Sequence, residues 1–171
     1  VPMDLVQRKK IRLSNFDYSS RGAYFITICV TDRHALLWEQ GTDITLKDQP
    51  PLNQNGSIVQ AGIEQITAHY QHVIVDKYCI MPDHVHMIIF VLPNEEQRIM
   101  QQGGGARAST HVTLSSLIGS MKRWVSKEIG YSLWQKSFHD KVLWRKEDYD
   151  AVWKYIDENP LHYKDDCLIE S

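Results

Sequence analysis

Apolar and polar positions alternate at two different periods along this chain, and the periods divide it into elements. GAYFITICVTDR (22–33) is β-branched and aromatic, is bounded by Gly22 and Asp32, and predicts a strand. From Ser57 onward Ile58, Ala61, Gly62, Ile63, Ile66 and Tyr70 recur at helical spacing, which predicts a helix over 57–70. HVIVDKYCIM (72–81) and HVHMIIFVL (84–92) read as two strands, and the short Pro82-Asp83 link suits a tight antiparallel connection. Leu114, Leu117, Ile118, Met121, Val125 and Ile129 predict a second helix over 113–129. LWQKSFHDKVLW (133–144) is strand-like in part, and a last helix should start near Lys146 and stop at Pro160, because proline disfavours helix in the residue before it.

The segments between these elements are polar or turn-rich. Residues 1–20 carry a basic cluster (Arg8, Lys9, Lys10, Arg12) and read as an arm. Residues 36–56 are turn-rich, suit a short hairpin and close at Asn53-Gln54-Asn55-Gly56, while 93–112, with Gly103-Gly104-Gly105, read as a flexible loop. There are no internal repeats. The order β-α-β-β-α-β-α over residues 1–171 predicts a single α+β domain. Its expected architecture is ferredoxin-like: an antiparallel sheet with helices on one face, plus a C-terminal helix bearing Tyr155.

Composition changes this picture little. The chain is 43% hydrophobic with a net charge of −2, so bulk charge does not announce a nucleic-acid partner and local basic faces matter more. Cys29, Cys79 and Cys167 form no CxxC pair, and a reducing cytosol is the expected setting. No stretch approaches the apolar length of a membrane span.

The candidate chemistry begins with His84 and His86. Residues two apart on a strand project from one face, so the two imidazoles converge while Val85 and Met87 point the other way. Converging imidazoles can ligate a divalent metal, but two donors are too few, and an exposed sheet face is the plain alternative. In DAVWKYIDENP, Tyr155 and Asn159 share one helical face a turn apart, and an amide oxygen suits Mg²⁺ or Mn²⁺. Spacing alone equally allows Tyr155 to pack the helix on the sheet and Asn159 to cap its end.

MPDHVHMII, WQKSFHDKVLWRKEDY and YIDENP, together with the opening RLSNFDYSSRGAYFITICVTDR, resemble the single-tyrosine HUH transposases, most closely the REP-associated tyrosine transposases. The likeness runs in the same order over nearly the whole chain. It implies that His84, His86 and Asn159 bind Mg²⁺ or Mn²⁺ and that Tyr155 is the nucleophile. It further implies single-stranded DNA with a hairpin as substrate, a 5′-phosphotyrosine intermediate with a free 3′-hydroxyl, and a place in the bacterial cytosol at the nucleoid. Monomers and homodimers both occur in the family, with the tyrosine helix completing its own or its partner's site. One position departs mildly: Tyr163 stands where members often carry tryptophan.

Candidate DNA contacts are the arm residues Arg8, Lys9, Lys10 and Arg12, the helical Lys122, Arg123 and Lys127, and Lys141, Arg145 and Lys146 leading into the tyrosine helix. His139 and Asp140 suit either a role beside the site or a strand-end surface. His69 and His72 carry no role, and Trp124, Trp144 and Trp153 are expected to fill the core. Three rival readings remain: a domesticated nuclease processing repeated palindromes, an inactive DNA-binding module of the same fold, and a metal-dependent hydrolase with a structural Tyr155. The hydrolase needs a water-activating base, and Asp83 is expected to alternate away from the histidines.

Overall fold

The structure is a computed structural model that describes residues 22–41, 51–92 and 113–166, the last four as backbone only. The basic arm, and with it Arg8, Lys9, Lys10 and Arg12, lies outside these residues, as does the loop over 93–112. Four strands form one antiparallel sheet: β1 (Ala23–Cys29), β2 (Val73–Ile80), β3 (His84–Val91) and β4 (His139–Val142). Their order is β2-β3-β1-β4, so β3 inserts antiparallel between the parallel β1 and β2, which is the expected ferredoxin-like arrangement.

Helix α1 (Gln54–His69) starts three residues before the expected position because the Asn53 side chain accepts the Gly56 amide and caps it. Helix α2 (Leu114–Ile129) is capped by Thr113 and ends at Gly130, whose φ of +96° is a left-handed conformation that glycine adopts without strain. The two helices pack closely. A Cβ on Gly62 of α1 would stand 2.6 Å from Val125 Cγ2 and 3.3 Å from the Trp124 ring, so only glycine lets α2 approach this near.

The register sorts the sheet's side chains into two faces. Ile26, Ile28, Val85, Met87, Ile89 and Tyr78 share the face that α1 covers, where Gln60 of α1 reaches the Tyr78 hydroxyl at 3.1 Å. Phe25, Thr27, Cys29, His84, His86 and Ile88 share the other face. Helix α3 (Lys146–Asp166) crosses that second face, with Tyr149 against Phe90 at 5.8 Å between ring centroids. Both faces are therefore buried at β3, which explains why its whole run from His84 to Phe90 is buried instead of alternating.

Helix α3 takes its position from an irregularity in β2. The register moves from Val75 opposite Ile89 to Lys77 opposite Ile88, leaving Asp76 as an extra residue in a bulge. Asp76 accepts the Tyr149 hydroxyl at 2.5 Å. Lys77, now on the second face, pairs with Asp157 at 2.6 Å and lies 4.1 Å above the Trp153 ring. Burial raises the Asp76 carboxyl pKa, and the tyrosine hydrogen bond offsets part of that rise.

Several expected boundaries shift. The first strand ends at Cys29, and Thr31–Arg33 form a 3₁₀ turn instead of its continuation. In 133–144 only four residues are strand, with an isolated bridge from Trp134 to Val30. The expected hairpin over 36–56 shows one bridge, Trp38 to Leu52, with 42–50 outside the described residues. Helix α3 does not stop at Pro160 but runs on to Asp166. Proline removes one backbone donor, yet Ile156 (1% exposed) and Asn159 (2%) are packed tightly enough to hold the helical path through it. Trp144, expected in the core, is exposed, because it follows the short β4 and falls beyond the sheet's cover.

Candidate active site

The site is built where the start of β3, the middle of β1 and the third turn of α3 meet. His84 and His86 project from the same face as the strand period requires, and their Nε2 atoms stand 3.0 Å apart. Each is held from behind at Nδ1. His84 Nδ1 donates to Asp83 Oδ1 at 2.6 Å, and His86 Nδ1 lies 2.9 Å from Thr27 Oγ1, its register partner on β1. The Nε2 edges are thereby turned toward a common point.

Asp83 corrects an expectation. It does not alternate away from the histidines, because β3 begins at His84 and the strand period does not extend to the bend before it. Its second oxygen accepts from Arg33 Nε at 2.8 Å, and Arg33 also reaches Cys29 Sγ at 3.2 Å. Arg33 gets there from an unusual backbone: Asp32 and Arg33 have φ of +54° and +55°. Two consecutive left-handed non-glycine residues cost on the order of 1 kcal/mol each or more, a strain that the ion pair of exposed Arg33 with buried Asp83 helps to hold.

Burial is the largest influence on the Asp83 carboxyl and acts to raise its pKa. The hydrogen bond and charge of His84, with those of Arg33, outweigh it and hold the group below the usual carboxylate range. His86 goes the other way. Burial first, then the electrostatic influence of His84 and Arg33, push its pKa down to about 3, so its imidazole is neutral at physiological pH.

Helix α3 brings Tyr155 over this pair. Its hydroxyl lies 3.4 Å from His86 Nε2, and its ring meets those of His86 (5.3 Å between centroids) and Phe25 (6.2 Å) edge to face. The residue is nevertheless 46% exposed, so a polymer can reach the hydroxyl from solvent. All these side chains come from one chain.

One turn further along α3, Asn159 is 2% exposed, and neither its oxygen nor its nitrogen has a hydrogen-bond partner. An unsatisfied buried amide costs about 1–3 kcal/mol per group, and native structures rarely keep one without a use for it. Among the described residues no three His, Cys, Asp or Glu side chains cluster to hold a metal. The donors on offer are thus two imidazole nitrogens and one orphaned amide oxygen, a set that fits a divalent cation such as Mg²⁺ or Mn²⁺.

The basic residues singled out in the sequence are scattered. Lys141 of β4 is exposed and pairs in register with Phe25, on the same face as Tyr155. Arg145 and Lys146 are exposed and pair with Asp148 and Asp150 on α3 itself. Lys122, Arg123 and Lys127 belong to α2, beyond the opposite face of the sheet. Lys122 is spent on carbonyls there, donating to those of Gln135, Lys136 and Ser137, and burial lowers its pKa. Arg123 reaches Ser120, and Lys127 is exposed in the last helical turn. His139, opposite Thr27 on β4, shares the face of the site, while Asp140 points to the α2 side with Lys122.

Sequence reasoning missed Thr27 and Arg33. Thr27 is 59 residues from His86, and only the strand register joins them. Its one signal was a lone hydroxyl in an apolar strand; Arg33 had none.

Fold and site together define a ferredoxin-like domain with an HxH pair facing a tyrosine-bearing helix. No protein-family model matches the chain. An uncharacterized protein of Haemophilus influenzae (strain Rd) is 27% identical over 172 residues, spanning 94% of this chain and 92% of its own length. A solved REP-associated tyrosine transposase bound to a REP hairpin shares the fold, with a TM-score of 0.56 at 17% identity, over 84% of this chain and 68% of its own.

Proposed function

We propose that this chain is a DNA strand transferase of the tyrosine-transposase type, acting on single-stranded DNA with an adjacent hairpin. The observation that carries the reading is the placement of an exposed tyrosine hydroxyl 3.4 Å from a buried HxH pair, with an orphaned asparagine amide one turn away on the same helix. A structural tyrosine needs none of these neighbours. The solved transposase with the same fold binds a REP hairpin, which supports the choice of DNA.

In this reading Tyr155 Oη attacks the phosphorus of a backbone phosphodiester. A bond from Oη to phosphorus forms and the bond to the 3′ oxygen breaks. The tyrosine proton passes to water, and the departing oxygen takes one up as a 3′-hydroxyl. One ester replaces another, so the step needs no ATP, and attack by a different 3′-hydroxyl rejoins strands. Bound by His84, His86 and Asn159, a divalent cation would neutralise charge on the scissile phosphate. Phe25 and His86 hold the Tyr155 ring by its edges and so fix the direction of the hydroxyl. Lys141, exposed on the same face, is positioned to hold a neighbouring phosphate. Because Tyr155 and the histidines belong to one chain, a monomer contains every reacting group.

The test is covalent trapping. Protein and a Tyr155→Phe variant are incubated with labelled single-stranded hairpin oligonucleotides, with Mg²⁺, Mn²⁺ or EDTA, and run on denaturing gels. A metal-dependent adduct that vanishes in Tyr155→Phe is expected. Cleavage without adduct that survives in the variant would replace transfer by hydrolysis, and binding with neither would leave a DNA-binding module.

A further inference from the structure

Helix α3 leaves one half of its sheet face open. It is anchored on β2 through Asp76 and Lys77 and packs over β3. On the other half Phe25 and Thr27 of β1 are half-buried, and His139 and Lys141 of β4 are exposed. Because β4 is an edge strand, this half is an open floor beside the exposed Tyr155 hydroxyl.

The register places one imidazole on that floor, level with the hydroxyl. Thr27 pairs with His86 on one side and with His139 on the other, so the three stand in one row across β3, β1 and β4. The Tyr155 hydroxyl lies 3.4 Å from His86 Nε2, at one end of the row, and His139 is at the other. Two strand spacings, roughly 10 Å, separate the backbones of the two histidines, with the short Thr27 side chain between them. A reacting phosphodiester needs a span of this order: about 3 Å from the attacking oxygen to phosphorus, and about 3 Å from the departing oxygen to a proton donor.

We infer that His139 is the general acid of strand cleavage, placed on β4 to protonate the departing 3′ oxygen. This rests on the strand-transferase reading given above. As Tyr155 Oη bonds to phosphorus and the bond to the 3′ oxygen breaks, a proton passes from the His139 imidazolium to that oxygen. A 3′-hydroxyl and a neutral imidazole remain. In rejoining, the neutral ring takes the proton from the attacking 3′-hydroxyl, whose oxygen bonds to phosphorus. The bond from phosphorus to Oη breaks, and the tyrosine recovers its proton from water. One imidazole serves both directions, because that ring gives and takes a proton near neutral pH.

The neighbouring groups leave this role to His139. Lys141 shares its face but stands one row along, opposite Phe25, and Asp140 points to the α2 side of the sheet. On β1 the side chains flanking Thr27 on this face are Phe25 and Cys29, and the Cys29 thiol is buried against Arg33. His84 and His86 lie across β1, with their Nδ1 atoms engaged by Asp83 and Thr27.

The experiment uses the single-stranded hairpin oligonucleotide that the wild-type protein cleaves, in two versions identical but for sulfur in place of the scissile 3′ oxygen. Sulfur departs as a thiolate and needs no proton. With Mn²⁺ present, His139→Gln should slow adduct formation about 100-fold or more on the oxygen substrate and stay within a few-fold of wild type on the sulfur one. Added imidazole should restore His139→Ala on the oxygen substrate, and EPR of free Mn²⁺ should show the ion bound by His139→Gln as by wild type. Equal slowing on both substrates, or an undiminished rate on oxygen, would overturn the proposal, while adduct formation by the wild type would leave the transferase reading standing. Mn²⁺ binding weakened more than about 10-fold would also overturn it, by making His139 part of the cation site. A wild type that forms no adduct on any hairpin would overturn the transferase reading and the proposal together.

Discussion

Replacing Asn159 by leucine should make the metal-free protein more stable. Leucine has the same branched outline as asparagine, with two methyl groups where the amide carries oxygen and nitrogen. Both of those polar atoms are buried without partners in a residue only 2% exposed. An unsatisfied buried polar group costs about 1–3 kcal/mol, and leucine's better helix propensity adds a few tenths. Allowing for imperfect fit of the methyls, we expect a net gain of ~1–3 kcal/mol, or roughly 3–9 °C in Tm for a chain of this size. The assay is thermal unfolding by circular dichroism in EDTA and again in millimolar Mn²⁺. Wild type should rise with the ion, since a ligand that binds only the native state stabilises it by mass action, and Asn159→Leu should not. Loss of more than about 1 kcal/mol by the variant in EDTA would refute the reasoning, because Asn159 would then be a satisfied structural amide.

Other consequences are open to measurement. His86 has its folded pKa lowered to about 3. Between its ordinary 6.5 and that value the unfolded chain binds a proton that the native site refuses. In metal-free buffer this stability is therefore whole above pH 6.5 and falls with pH, by ~2 kcal/mol on reaching pH 5. Urea titrations should show the slope, and His86→Leu should flatten it. Gly62→Ala should cost ~1–3 kcal/mol in urea unfolding, since its methyl group meets Val125 at 2.6 Å, and leave Mn²⁺ affinity unchanged. Cys79, whose thiol burial pushes up to about 12, should resist iodoacetamide at pH 8 in the native protein and react once urea unfolds it.

The sheet was legible because its strands carry strong local signals, and the period of two correctly put both imidazoles on one face. Pro160 misled because a local preference was weighed without the packing of Ile156 and Asn159 that overrides it. Asp83 misled for a related reason, since alternation was carried one residue past the strand's start. The burial of His84 and His86 could not be read from their own segment: it depends on α3 crossing that face from 60 or more residues away. Thr27 belongs to the same kind, joined to the site by register alone. Local spacing put the two imidazoles on one face, and only tertiary pairing showed what stands behind them.

The bulge at Asp76 restricts how this chain can vary. It shifts β2 by one place, turning Lys77 toward Asp157 and Trp153 while Asp76 takes the Tyr149 hydroxyl. Substitutions along β2 that keep its length would preserve the helix's bearing, each at the cost of the contact it removes. Deleting Asp76 would restore a regular ladder with Lys77 still opposite Ile88, so the Tyr149 anchor would be lost while the contacts to Asp157 and Trp153 stay in register. The helix that carries Tyr155 is thus tied to this strand at two independent points, of which a length change at the bulge releases one.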